Sequence, residues 1–224
     1  MSPLREAEVR YLKAIGLVSA LCVVMFVFRA LVTGVTRFAF VPENLVLAWL
    51  ALSFAWLLTQ QLKLRRWASW QNIALSVLWL LFLPNAWYVL TDFVHVTASG
   101  QISQIYDIVM VSTLVFAGFA LGFTSLFIIH KEFLKRWSKQ QAHGAVAAIL
   151  LLASFAIYLG RDLRWSTWDV IANPSGIILN VSDRVIDPFG HPRALNVTLL
   201  FFGLLSVLYL AIWQLLGLHH SSKK

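Results

Sequence analysis

The chain has 224 residues, 59% of them hydrophobic and only 12% charged, and carries a formal net charge of +8. A soluble globular domain carries about 25% charged residues, so the composition excludes an ordinary soluble domain and points to an integral membrane protein. The single cysteine, Cys22, excludes intramolecular disulfides and thiolate metal clusters.

A helix of about 20 apolar residues crosses a bilayer. Six such runs follow one another: Ala14 to Val32, Leu45 to Leu62, Ile73 to Leu90, Ile108 to Ile129, Gly144 to Leu159, and Leu195 to Leu218. None has the short alternating pattern of an outer-membrane barrel. The expected fold is therefore all-α, a polytopic membrane helix bundle of about six transmembrane helices forming one integral membrane domain over 1–224. No linker or internal repeat interrupts it. The first run is long, Arg29 interrupts its far end, and no small-residue cleavage site follows, so it is read as a retained span rather than a signal peptide.

Basic residues set the expected orientation. Twelve of the 18 Lys and Arg residues fall in four clusters: Arg5, Arg10, Lys13; Lys63, Arg65, Arg66; Lys131, Lys135, Arg136, Lys139; and Lys223, Lys224. With six crossings all four clusters lie on one side, while Arg29, Arg37, Arg161, Arg164, Arg184 and Arg193 lie on the other. The positive-inside rule then places both termini in the cytoplasm. The basic excess reports topology and attraction to anionic lipid, not a nucleic-acid partner. Trp67, Trp70 and Trp137 at one boundary, and Trp87, Trp165 and Trp168 at the other, are expected as interfacial belts.

The third run ends unusually, in Leu83-Pro-Asn-Ala-Trp-Tyr-Val-Leu-Thr-Asp-Phe-Val-His95. Pro84 has no N–H and frees the Leu80 carbonyl, which Asn85 or a neighbouring helix is expected to satisfy. The resulting kink is read as opening a polar pocket beneath Asp92 and His95. These two are three residues apart and share a face if the helix continues. That spacing suits two metal ligands, or a carboxylate orienting an imidazole for acid–base work. Arg29 either reaches the surface or pairs with one of the aspartates.

Asp107 opens the fourth run, where capping and the helix dipole favour it. Gly118 and Gly122 form a Gly-x-x-x-Gly that predicts close helix packing, within the bundle or between protomers. His130 and His143 flank the next basic loop and read as solvated, and His219 and His220 belong to a polar tail.

The last connection, Gly160 to Ala194, is long. Ser166-Thr-Trp-Asp169 matches a capping pattern for a short helix that stops at Asn173-Pro174. Beyond it Ile177, Ile178, Val181 and Val185 fall on one helical face, predicting an interfacial helix on the outer leaflet. Arg161 and Arg164, three apart, suit a grip on phosphate or carboxylate. The candidate ligand-binding set is thus Asn85, Asp92, His95, Asp107, Arg161, Arg164, Trp165 and Asp169, with His95 and Asp92 as catalytic candidates. One histidine with several aspartates is a thin metal-ligand set, so no metal is expected there, and no particular cofactor is indicated.

Three motifs in order, Leu83 to His95, Tyr106-Asp107, and Tyr158-Leu-Gly-Arg-Asp-Leu-Arg-Trp-Ser-Thr-Trp-Asp169, resemble the signature of an uncharacterised family of bacterial multi-pass membrane proteins, catalogued only as a domain of unknown function. The resemblance covers about 73–174. It departs at Trp87, where the family more often has proline, which implies a milder kink here. It also implies a bacterial inner-membrane location and supplies no activity.

Three readings follow. The first is a membrane protein with an extracytoplasmic polar pocket for a polar or anionic ligand, free or lipid-linked. The second is a membrane-embedded hydrolase or group transferase acting on lipid head groups. The third is a transporter or accessory subunit in which these polar residues form a structural clamp. Apart from Arg29 and Asn85 the runs carry no polar residues of the kind that line an ion pathway, which counts against transport.

Overall fold

The computed structural model describes residues 3–97, 102–165, 167 and 169–221. The Ser166 cap, the Trp168 belt position, Lys223 and Lys224 lie outside the described residues. The elements are α1 (Pro3–Thr33), α2 (Phe40–Gln61), α3 (Trp70–Phe82), α4 (Asn85–Tyr88), a 3-10 helix (Val89–His95), α5 (Gln104–Leu134), α6 (Lys139–Asp162), α7 (Asp169–Ala172), α8 (Pro174–Ile186) and α9 (Pro192–Ser221). No strand occurs among the described residues.

Six segments are long and apolar enough to cross a membrane: Val9–Thr33, Phe40–Gln61, Trp70–His95, Gln104–Leu134, Lys139–Asp162 and Pro192–Leu215. The protein is therefore an all-α, multi-pass membrane bundle, as its apolar runs imply. Most helices overrun those runs, because hydrogen bonding continues into flanks rich in Lys, Arg and Gln that are good helix formers.

The chain forms two compact units, Met1–Ile129 and His130–Lys224. In the first, Leu45, Ala48, Val89, Leu114 and Leu121 belong to one buried cluster. Helix α1 runs antiparallel to α5, and three contacts fix the register. Tyr11 Oη lies 2.8 Å from Thr124 Oγ1, Cys22 Sγ lies 4.0 Å from the Met110 carbonyl, and Arg29 meets Asp107. Trp49 Nε1 donates to Ser19 Oγ at 3.1 Å, tying α2 to α1.

The third span loses its regular α-helical hydrogen bonding at Pro84, while the backbone at Leu83, Pro84 and Val89 stays right-handed helical and Trp70–His95 remains one span. Helix α3 stops at Phe82, a single α-turn follows from Asn85, and the chain then tightens into seven residues of 3-10 helix. Asn85 Nδ2 donates to the Phe82 carbonyl at 3.2 Å.

Trp87 is fully buried, not a belt residue. Its place is made by the two small residues of α5. A Cβ added to Gly122 would sit 2.8 Å from Trp87 Nε1, and one on Gly118 would run into the Ala86 carbonyl oxygen. The Gly-x-x-x-Gly is thus spent inside the first unit, admitting the α4 turn.

The second unit pairs α6 with α9. Ser138 caps α6: its Oγ accepts from the Gln141 amide at 3.3 Å, and Gln141 Oε1 accepts from the Ser138 amide at 3.1 Å. The excursion between the helices is closed by Arg193 Nη2 on Asp162 Oδ1 at 2.6 Å. Asn173 Oδ1 accepts from the Gly176 amide at 3.1 Å and, with Pro174 in the first turn, starts α8.

Arg184 Nε donates to Tyr158 Oη at 3.0 Å, which sets the roll of α8 against α6. Ile178, Leu179, Val185 and Ile186 are exposed, whereas Ile177 and Val181 are half-buried. The apolar face is therefore rotated from the one the sequence predicts. Ser182, in the middle of that face, folds its hydroxyl back onto the Leu179 carbonyl at 3.0 Å.

Candidate functional site

A corner between α1 and α2 organises the polar end of the first unit. It turns at Gly34, whose φ of +66° an L side chain rarely adopts. The turn brings Phe38 against the side chain of Arg29. The Arg29 Cζ lies 4.2 Å from the Phe38 ring centre, and the Arg37 Cζ lies 5.8 Å from it, both within cation–π range. Phe38 touches Phe40 at 5.5 Å, and Phe40 touches the His95 ring at 5.1 Å. An unbroken line of contacts thus runs from α1 to the end of the 3-10 helix.

Asp107 and Arg29 are 1% and 2% exposed and form a two-point ion pair, Nε to Oδ1 at 2.7 Å and Nη2 to Oδ2 at 3.2 Å. The third guanidinium nitrogen, Nη1, is buried with no hydrogen-bond partner. Fork geometry lets one carboxylate take two of the arginine's donors and leave the others aimed elsewhere. Capping of α5 by Asp107 is thus secondary to this pair.

Asp92 is buried at the centre of the 3-10 helix, and its Oδ2 accepts from Asn44 Nδ2 at 2.8 Å. Asn44 is itself buried, one turn into α2. In a 3-10 helix residues i and i+3 eclipse, so Asp92 and His95 lie on one face. The His95 carbonyl accepts from Arg37 Nη2 at 3.0 Å, and the same nitrogen reaches Thr97 Oγ1 at 2.9 Å. His95 and Asn85 are half-buried.

The other four candidates belong to the second unit. Arg161 is half-buried in the last turn of α6. Arg164 is exposed and holds φ at 59°, a left-handed position where glycine is the usual occupant. Trp165 follows it, with its amide donating to the Leu159 carbonyl at 3.2 Å. A Cβ on Gly176 would sit 2.8 Å from Trp165 Cη2, so this indole packs on the first turn of α8. Asp169 opens α7, and its carbonyl accepts from the Asn173 amide at 2.8 Å.

Sequence reasoning missed Asn44, Phe38 and Arg37. Asn44 stands beside Glu43 at the edge of the second apolar run, and an amide that the helix carries into the membrane needs a partner. Nothing local in the sequence marks Phe38, whose role comes from the turn at Gly34.

A family model described as "Protein of unknown function (DUF1361)" matches residues 43–208. This reaches beyond the three motifs to take in most of α2 and of α9. No curated protein and no solved structure matches the chain. With well over half its length matched, the chain belongs to the DUF1361 family, a family of unknown function.

Proposed function

We propose that this multi-pass membrane protein binds a polar, anionic ligand of the phosphate head-group kind at the polar end of its first unit, with Arg29 as the anion contact and Asp92 and His95 as its neighbours. The observation that carries the reading is Arg29 Nη1, a buried cationic donor left over after Asp107 has taken the other two nitrogens. Leaving such a donor unpaired is costly, and an anion entering that end removes the cost. Arg161 and Arg164 stay in the proposal as a separate anion-facing pair of the second unit. The charge split supports an orientation with both termini in the cytoplasm and this end outside it, and the family resemblance supports a bacterial inner membrane.

The test is retention of lipid by purified protein. Protein reconstituted in nanodiscs containing phosphatidylglycerol, against phosphatidylcholine alone, is examined by native mass spectrometry. The wild type is expected to retain the anionic lipid selectively. Arg29→Lys keeps a charge for Asp107 but loses the fork, and is expected to lose that selectivity while staying folded. Equal retention by both proteins overturns the reading.

The stacking of Asp92 and His95 supports a second reading, a hydrolase or transferase on lipid head groups in which His95 is the general base and Asp92 orients it. Turnover of a head-group ester that is lost in His95→Ala distinguishes it from binding alone. The tight pairing of Asp107 with Arg29 supports a third, in which this end is a structural clamp of an accessory subunit.

A further inference from the structure

His130 and His143 read as solvated in the sequence, and the structure overturns that for His130, which is 0% exposed. It shares one face of α5 with Phe123, Leu126 and Phe133, all buried at helical spacing. In the second unit its Nδ1 lies 2.8 Å from Tyr209 Oη. Its ring centre is 4.2 Å from that of Trp213 and 4.7 Å from that of His143, while His143 and Trp213 are 5.7 Å apart. Those three distances set His143 well to the side of the line from His130 to Trp213. The two imidazole planes meet at 88°.

Hydrogen bonding and burial together assign which nitrogens hold lone pairs. His143 Nδ1 is 2.7 Å from the Lys139 carbonyl. A carbonyl only accepts, so that nitrogen carries the hydrogen and Nε2 of the neutral ring carries the lone pair. His130 Nε2 is buried with no hydrogen-bond partner. A hydrogen there would be an orphaned buried donor, whereas Nδ1–H donating to Tyr209 leaves Nε2 a lone pair instead. Both rings are thus held by the Nδ1 edge, with the lone pair of each on Nε2. This is how metal-binding histidines are set by their outer partners.

We propose that His130 Nε2 and His143 Nε2 form a site for one divalent first-row transition metal ion of the zinc kind, with Tyr209 and the Lys139 carbonyl as positioning groups. No cluster of three or more His, Cys, Asp or Glu side chains gathers for a metal among the described residues, so this is a two-ligand site completed by water or solute. Imidazole suits zinc, copper and nickel. At a metal–nitrogen distance of about 2.0–2.1 Å, two rings sharing an ion have centres no more than roughly 6.5 Å apart, and 4.7 Å fits a bent arrangement. Glu132, the nearest carboxylate along α5, is already held by Lys135 and Arg136.

Zinc titration of the full chain in detergent, followed by calorimetry, tests the site, with the absorption of the cobalt-loaded protein reporting nitrogen coordination. One ion per chain is expected. His143→Gln, at a half-buried position, is expected to weaken binding at least about tenfold with the helical circular dichroism unchanged. Tyr209→Phe keeps the ring in place and is expected to weaken it about tenfold, as loss of an outer partner does. A double His219→Asn/His220→Asn variant is expected to bind as the wild type does. Absence of zinc binding, equal affinity in His143→Gln, or loss of binding in the tail variant overturns the proposal.

Discussion

Arg29 and Asp107 stand 78 residues apart in the chain and meet inside the first unit at 2.7 Å, each almost fully buried. Removing one member of such a pair leaves an uncompensated buried charge, which costs about 3–5 kcal/mol. Asp107→Leu alone is therefore expected to lower the melting temperature sharply in a detergent thermal scan. Arg29→Met combined with Asp107→Leu is expected to recover most of the loss, because paired apolar replacements of a buried ion pair are often neutral. If the double variant melts no higher than the single one, the pair is not the source of the stability.

Gly118 and Gly122 admit the α4 turn, while nothing lies within 4 Å of a Cβ added at Gly16, Gly144 or Gly203. Gly122→Ala is expected to cost about 1–3 kcal/mol by overpacking against Ala86 and Trp87. Ala at Gly16, Gly144 or Gly203 is expected to be neutral or to stabilise by up to about 1 kcal/mol through helix propensity. A guanidinium or thermal unfolding series over the four variants separates the two classes.

Arg164 occupies a left-handed backbone position at φ 59°. Holding a residue with a Cβ there costs about 1–2 kcal/mol, so Arg164→Gly is expected to raise stability modestly. If the arginine is retained for an anion, the same variant is expected to bind phosphatidylglycerol nanodiscs more weakly. A variant less stable than the wild type would show that the arginine side chain holds the loop.

Helix α8 turns Ile178, Leu179, Val185 and Ile186 outward between two membrane spans. Nitroxide labels at Ile178 and Ile186 are expected to show high oxygen and low nickel-chelate accessibility in electron paramagnetic resonance. A label at Asp183, 60% exposed on the flank, is expected to show the reverse. Equal profiles at the three sites would rule out burial of this face in the lipid interface.

The spans were legible because apolar length is a property of consecutive residues. The change of helix type in the third span was legible in kind, from Pro84, but not in extent. Its packing against Gly118 and Gly122 of α5, which meet Ala86, Trp87 and Val89, is a long-range contact that the segment itself does not announce. Pairing was legible only as a choice: Arg29 was expected either to reach the surface or to find an aspartate, and the fold decides for Asp107. Asn44 escaped because an amide just before an apolar run reads as a flanking polar residue and carries no address for its partner. His130 was misread from its polar neighbours Lys131 and Glu132. The helical spacing of Phe123, Leu126 and Phe133 was the better guide, since a helix sorts residues by face and not by adjacency.

The Arg29–Asp107 pair also has a bearing on how the protein is made. Synthesis delivers α1 to the membrane with a guanidinium near its far end, and the carboxylate that neutralises it arrives only with the fourth span. Until then the earliest helix carries an unmatched charge at the edge of the hydrocarbon. In any fragment that ends before residue 107 the Arg29 guanidinium therefore lacks the partner it has in the fold, and the pair can close only after the fourth span is made.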